Sequence, residues 1–189
     1  MTGREKILPV ILAAVLVAAF ILSAGCTGTE TARVAAPAPM GAIQPGQVLQ
    51  SFGDVTGQGV MLQGVPRVVI DTITFTIGIT PGSRSVDLGN ITVIYADAVR
   101  SQSLTSIDKI RGEPPKGSWG LLSIANEVGK PNDRLEYGER ATIRISPAAA
   151  ILPNQLITIV VKPKDGPSVT IRRIIPATVT QGDNVLIAA

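Results

Sequence analysis

Few residues of this sequence could carry out chemistry. The 189 residues include no His and a single Cys, so they can supply neither a His-based acid/base pair, nor a catalytic triad, nor an ordinary zinc site. One Cys also excludes an intramolecular disulfide framework. These exclusions argue against most hydrolases. We therefore expect a protein that is not an enzyme, with no catalytic residue, no metal site and no cofactor.

Two residues are candidates for covalent modification. Asn90 opens the triplet "NIT", an acceptor motif for N-glycosylation, although such triplets also arise by chance. Cys26 closes "LSAGC", which is similar to the lipid-attachment motif of lipoproteins except that Ser23 stands where Leu is usual. Without a lipid, Cys26 is simply a small buried residue. The residues alone leave both modifications open.

Charged side chains form two further groups. Several acidic residues fall in predicted loops, where they could ligate Ca²⁺ or simply face solvent in turns. They are Asp97, Asp108, Glu127, Asp133, Glu136 and Glu139. A basic group surrounds the last predicted hairpin, either as charges that keep an edge strand from stray pairing or as a subunit contact. It comprises Lys162, Lys164, Arg172 and Arg173. The net charge is only +3 and aromatic residues make up 3%, so we expect no nucleic-acid partner.

The amino-terminal stretch "ILPVILAAVLVAAFILSA", from Ile7 to Ala24, carries no charge. As a helix, these roughly 18 residues would span about 27 Å, close to the hydrocarbon thickness of a bilayer. Three interpretations are open: a cleaved signal peptide, a lipoprotein anchor ending at Cys26, or a helix that the mature protein retains. The acidic Glu5 and the lack of an A-x-A cleavage site oppose a signal peptide. A helix that is apolar on every side must be surrounded by lipid or by other apolar helices.

A linker follows the apolar stretch. Residues 25 to about 55 are rich in Gly, Pro, Ala, Thr and Gln, and Pro37, Pro39 and Pro45 oppose the continuation of a helix. We therefore divide the chain into a hydrophobic helix over 1–35, a Pro/Gly-rich linker over 36–56 and a β domain over 57–189.

The β domain is predicted from a period of two. In "DTITFTIGIT" large apolar residues alternate with Thr and Gly, which is typical of a strand with one face in a core. The apolar positions are Ile73, Phe75, Ile77 and Ile79. Similar stretches predict strands over 90–97, 141–146, 155–163 and 168–176, with weaker candidates over 58–65 and 120–126. "KDGP" (Lys164 to Pro167) predicts a hairpin connection. We expect an antiparallel immunoglobulin-like β-sandwich and, with the long N-terminal α-helix, the α+β class.

The order of several short motifs resembles archaellins, the filament subunits of the archaeal flagellum. A Pro-Gly-Ser turn, a "VDL" segment, a strand ending in "YAD", an "L-x-x-G-E" stretch, a Pro-Asn turn and a final "IPA" follow one another as in that family. They lie at Pro81, Val86 to Leu88, Tyr95 to Asp97, Leu135 to Glu139, Pro153 and Asn154, and Ile175 to Ala177. Thr2, Gly3 and Glu5 match the "TG-x-E" element that opens mature archaellins.

The resemblance implies a structural subunit that polymerises through its amino-terminal helix into a helical filament for swimming motility. The helix residues that would pack in the filament core are Glu5, Leu8, Ile11, Leu12, Ala14, Val15, Ala18, Ala19 and Leu22. The implied partners are further copies of the chain, the archaellum export and assembly machinery, and the membrane before assembly. The implied location is an extracellular filament. Two alternatives stay open: a membrane-anchored lipoprotein with a ligand-binding sandwich, and a minor pilin-like or stator component of the archaellum.

Overall fold

The computed structural model describes residues 48–64, 66–107, 112–127 and 129–189. The predicted helix over 1–35, with its core residues from Glu5 to Leu22, and Cys26 lie outside the described residues. So do Asp108 and the three linker prolines. Within the described ranges no helix is long and apolar enough to cross a membrane.

The described chain is built almost entirely of strands. They are β1 (Leu49–Met61), β2 (Val68–Ile79), β3 (Val86–Asp87), β4 (Thr92–Ala96), β5 (Ser101–Ile107), β6 (Ser118–Ala125), β7 (Arg134–Leu135), β8 (Arg140–Ser146), β9 (Leu156–Lys162), β10 (Val169–Ile174), β11 (Gly182–Val185) and β12 (Ile187–Ala188). A single 3₁₀ turn (Leu88–Asn90) lies between β3 and β4.

The expected α+β class with an immunoglobulin-like sandwich is wrong for the described residues. Ten strands form one sheet in the order β11-β1-β2-β8-β6-β5-β4-β9-β10-β12, while β3 and β7 pair separately. The pair β5–β6 is parallel, with Thr105 opposite Ser118 and Ile107 opposite Gly120. β5 hydrogen-bonds to β4 on one side and to β6 on the other. In a sandwich, β4 and β6 would belong to two separate sheets, whereas here β5 joins them into one sheet.

The carboxy-terminal residues bring the two outer edges of the sheet together. β11 pairs with β1, and β12, one residue later, pairs with β10. The residue between them, Leu186, is buried and donates its backbone N–H to the carbonyl of Val55 at 2.8 Å. The sheet is thus nearly closed, and strand edges that would otherwise offer unpaired backbone groups are covered.

The predicted strands are present, with shifted bounds. In β2, Ile73, Phe75, Ile77 and Ile79 are all at most 1% exposed, so the alternation that predicted this strand is confirmed. β1 begins at Leu49, inside the stretch 36–56 assigned to the linker. The alternation of inward and outward residues along β1 is interrupted by two irregularities in its pairing with β2. The first irregularity contains Gly53 at φ 64°.

The strands run between two ends of the domain. At the near end, where the chain joins the domain at Val48, lie the segment 80–85, the β3–β7 pair and the β9–β10 hairpin. Gly166 of that hairpin would bring an added Cβ to 2.8 Å from Val48. At the far end lie the β1–β2 connection, the β4–β5 turn over 97–100 and the turn over 152–155. The register places Met61 opposite Val68 and Leu156 opposite Ile174 at this end.

Candidate functional site

The attachment point of the amino-terminal segment is fixed by main-chain contacts. The carbonyl of Val48 accepts a hydrogen bond from Thr80 N–H at 2.9 Å. Gly166 lies against the Val48 side chain with φ +104°, a backbone conformation in which a Cβ would also be strained. Val48, the first described residue, therefore lies between the 80–85 segment and the β9–β10 hairpin.

The predicted acceptor Asn90 lies at the near end, in the 3₁₀ turn, and is exposed. Its side-chain Nδ2 donates to Asp87 Oδ2 at 2.8 Å, and Asp87 Oδ1 accepts from Gly89 N–H at 2.9 Å. The hydrogen bond from Asn90, followed by that from Gly89, lowers the pKa of Asp87 below its usual value. Ile91 is buried, whereas the Thr92 side chain is exposed. Both polar residues of the motif therefore face solvent, Asn90 on an anchored turn and Thr92 at the start of β4.

A polar cleft of about 200 Å³ adjoins Asn90. The β3–β7 pair forms one wall, on which Arg134 donates from Nη2 to Ser85 Oγ at 2.7 Å. The β9–β10 hairpin supplies Lys164 and Asp165 as the other wall. The lining is mostly polar and carries charges of both signs, from Asp87, Arg134, Lys164 and Asp165.

The acidic side chains accept hydrogen bonds within turns and connections. Asp97 accepts from Val99 N–H at 2.8 Å, Arg100 N–H at 3.0 Å and the Tyr95 hydroxyl at 3.1 Å, and it pairs with Arg100 Nε at 3.0 Å. Burial alone would raise the pKa of Asp97, but these hydrogen bonds and the Arg100 charge outweigh burial and lower it. Burial, followed by the charge of Asp97 and the hydrogen bond to it, raises the pKa of Tyr95, while the Arg100 charge acts in the opposite direction.

The remaining carboxylates of the predicted calcium set do not converge either. Glu139 is buried and accepts from Glu136 N–H at 2.8 Å, and Glu127 accepts from Asn132 N–H at 2.8 Å. Across the described ranges, no three Asp, Glu, Cys or His side chains are grouped so that they could hold a metal ion. These carboxylates shape the turn at 97–100 and the long connection between β6 and β8.

The four basic residues do not form one cluster. Lys162 and Arg172 project from the outward faces of β9 and β10, and Lys164 lies on the hairpin. Arg173 points inward, where burial lowers its pKa and Asp54 acts in the opposite direction; its Nη1 donates to the Arg172 carbonyl at 2.8 Å. β9 is flanked by β4 and β10, so Lys162 is not a charge on an edge strand.

Sequence reasoning missed the polar contacts that tie distant segments together. Lys116 Nζ lies 2.5 Å from Asp71 Oδ1, Arg144 Nε donates to Thr74 Oγ1 at 2.9 Å, and Arg140 stacks over the Phe52 ring. Asn184 accepts from Thr180 N–H at 2.9 Å and donates to the Thr180 carbonyl at 2.8 Å. Most of these partners are tens of residues apart, so no local motif announces them.

Comparison with known proteins gives structural neighbours only. No protein-family model and no curated protein matches the sequence significantly. The crystal structure of archaeal flagellin FlaB1 from Methanocaldococcus jannaschii is similar over 75% of this chain and 98% of that chain, with 19% identity and a TM-score of 0.60. The archaeal flagellum of Methanospirillum hungatei matches over 74% of this chain and 71% of that chain, with 20% identity and a TM-score of 0.49.

A third neighbour is the archaellum periplasmic stator protein FlaG from Sulfolobus acidocaldarius, with 16% identity and a TM-score of 0.41 over 60% of this chain and 91% of that chain. The fold assignment depends on the FlaB1 structure. That structure is matched over nearly its whole length. The motif resemblance noted in the sequence is thus confirmed at the level of the fold: the described domain is archaellin-like.

Proposed function

We propose that this chain is a structural, non-enzymatic subunit of an archaellum, and that it polymerises through its apolar amino-terminal segment into the filament. The observation that carries the proposal is the FlaB1-like fold of the domain over 48–189. The "TG-x-E" element and the uncharged run from Ile7 to Ala24, which precede this domain in the sequence, support it. Residues 1–35 would form the filament core, the Pro/Gly-rich residues after them a linker, and the β domain the outer shell.

The proposed role of the subunit is mechanical. Copies that contact one another through two different surfaces do not close into a ring but build an open helical polymer, and rotation of that polymer gives motility. Burial of about a dozen large aliphatic side chains per copy contributes on the order of 20 kcal/mol as an upper bound. Ala14 and Ala18 allow close approach of neighbours, and Glu5 could pair with a neighbour's α-amine. The subunit would sit in the membrane before assembly and outside the cell afterwards.

Electron microscopy of sheared surface filaments, with mass spectrometry of their subunit, tests this proposal. We expect this chain to be the main component of the filaments. Recovery of a few copies in the envelope fraction alone would instead favour the stator alternative. Amino-terminal sequencing addresses the lipoprotein alternative, because a peptide that begins with a lipidated Cys26 excludes a retained apolar run.

A substitution within the apolar run gives a second test. Ala18→Arg should abolish filaments, because a charge inside an apolar bundle costs on the order of several kcal/mol and recurs in every copy. Ala18→Ser is the matched control, since it stays small and uncharged and should assemble normally. Normal filaments from Ala18→Arg would show that this run is not the assembly element.

A further inference from the structure

The polar cleft at the near end is lined in part by the acceptor residue itself. The Asn90 side chain belongs to the lining of this cleft of about 200 Å³, which lies between the β3–β7 pair and the β9–β10 hairpin. Pockets for drug-sized ligands have roughly 300–1,000 Å³, so this smaller cleft has room for a group the size of a single sugar ring. A glycan attached to Asn90 would therefore begin directly beside a cavity that can take its first sugar.

The charges around the cleft disfavour an ionic ligand. Asp87 and Arg134 are opposite each other in the β3–β7 pair. Lys164 and Asp165 stand on the other wall. The two carboxylates would repel an anion, and Arg134 and Lys164 would repel a cation. A neutral ligand whose hydroxyl groups both donate and accept hydrogen bonds can use all four side chains, and a neutral sugar is such a ligand.

One wall of the cleft is held in place within the chain. Arg134 donates to Ser85 Oγ from Nη2 at 2.7 Å and from Nε at 3.2 Å, so its guanidinium is oriented without a ligand. Val86, which is buried on β3, and Pro163, which is buried next to the end of β9, add apolar surface to the lining. The C–H groups of a sugar ring can pack on such surface while its hydroxyls face the charged side chains.

The hydrogen bond between Asn90 and Asp87 is compatible with a glycan. Asn90 Nδ2 carries two hydrogens and donates one of them to Asp87 Oδ2 at 2.8 Å. When the sugar is transferred from a glycosyl phosphate donor, its C1–O bond to the phosphate breaks, a C1–Nδ2 bond forms, and one Nδ2 hydrogen leaves as a proton. The other hydrogen still donates to Asp87, which keeps the modified side chain at the cleft.

We propose that the cleft binds the first sugar of a glycan attached to Asn90, so that the glycan lies over the near end of the domain instead of extending freely into solvent. Because the sugar is tethered at the edge of the cleft, its effective concentration is high and weak contacts are enough to hold it. This inference rests on the modification of Asn90 and is independent of the proposed filament function.

The reactivity of lysine amines tests the proposal on the chain purified from its source. Acetylation of Lys164 by a succinimidyl ester, followed by mass spectrometry, should be roughly threefold slower or more in the glycosylated wild type than in Thr92→Val, which lacks the acceptor motif. Lys162 is the matched control, because it is exposed on the outward face of β9 and should react equally in both. Thr92→Ser keeps the motif and should protect Lys164 as the wild type does.

A substitution in the cleft separates binding of the sugar from its attachment. Arg134→Gln should leave the glycan mass unchanged but remove the protection of Lys164, measured against Thr92→Val in the same background. Arg67→Gln, at an exposed position of the far end, should retain the protection. Circular dichroism checks that each variant is folded.

The outcomes distinguish the separate claims. Equal acetylation of Lys164 with and without the glycan, equal slowing at Lys162, or protection that survives Arg134→Gln would each overturn the proposal while the modification of Asn90 stands. An unmodified wild-type mass would overturn both. Loss or presence of filaments bears only on the proposed function.

Discussion

Asp97 shows how one carboxylate can hold a turn. It accepts two backbone N–H groups and the Tyr95 hydroxyl and pairs with Arg100, while its own side chain is only 3% exposed. Asp97→Asn keeps the shape but loses the charge, so we expect the free energy of unfolding of a 48–189 fragment to fall by about 1 to 3 kcal/mol in urea titrations at pH 7. Asp183→Asn, at an exposed position on β11, should change it by less than about 0.5 kcal/mol.

The same residue predicts a dependence on pH. The folded-state pKa of Asp97 lies below its ordinary value of 3.8, so the folded state favours the charged form. Its contribution is therefore complete above about pH 4 and is lost as pH falls through the lowered folded value. The difference between the wild type and Asp97→Asn should shrink only in that acid range. A difference that already declines between pH 7 and pH 5 would contradict this assignment.

Asn90 gives a prediction about modification. Because Asn90 on the anchored turn and Thr92 at the start of β4 both face solvent, we expect a glycan on the chain purified from its source. The intact mass should exceed that of the polypeptide, and Asn90→Gln should remove the excess. Thr92→Ser preserves the acceptor motif and should keep the added mass, whereas Thr92→Val should remove it. An unmodified wild-type mass would dispose of this prediction.

At the scale of elements, the segment from β11 to β12 holds the two edges of the sheet together. Leu186 is buried between β11 and β12, and Gly57 leaves room for it, since a Cβ there would meet Leu186 Cδ2 at 3.2 Å. Leu186→Ala should lower the free energy of unfolding by about 2 to 4 kcal/mol, through lost burial and the cavity left behind.

The adjacent residue supplies the control for that prediction. Val185, the last residue of β11, is 57% exposed, so Val185→Ala should cost less than about 0.5 kcal/mol. Denaturant midpoints of the two variants measure the difference. Equal losses would mean that the segment acts through its backbone pairing and not through the buried Leu186 side chain.

The sequence predicts those elements whose side chains alternate. β2 from Ile73 to Ile79 and β9 from Ile157 to Val161 have large apolar residues at every second position, and β10 begins in the same way with Val169 and Ile171. The "KDGP" connection has Gly166 at φ 104°, as a tight hairpin requires. β5 reads "SQSLTSI" and has one buried apolar residue, Leu104. It is a strand because β4 and β6 hydrogen-bond to its backbone on either side. Backbone pairing of this kind imposes no pattern on the side chains of the strand. β11 and β12 are too short to show a period.

At the scale of the whole molecule, motif order predicted the archaellin-like domain but not its sheet. Each turn from Pro81 to Ala177 is encoded by a few neighbouring residues. The order of the turns can therefore be read directly from the sequence. Whether the strands form two sheets or one depends on β5, on its parallel partner β6 and on the carboxy-terminal segment. These elements pair with strands that are not their neighbours in a local hairpin.

The domain as a unit gives the last prediction. A fragment over 48–189 should be a soluble, folded monomer at micromolar concentration, because it contains all the strand pairs and buried core residues described above. The cut must precede Val48, since the Val48 carbonyl accepts from Thr80 N–H and the fully buried Leu49 pairs with Ile79.

A fragment over 53–189 is the matched control and should be much less stable, because it lacks Leu49 and the Phe52 ring under Arg140. Sedimentation and circular dichroism measure both fragments. The fragment lacks the apolar run that is the proposed assembly element, so it should not produce a polymer. Filaments formed by the 48–189 fragment would mean that the β domain, and not the amino-terminal segment, drives assembly.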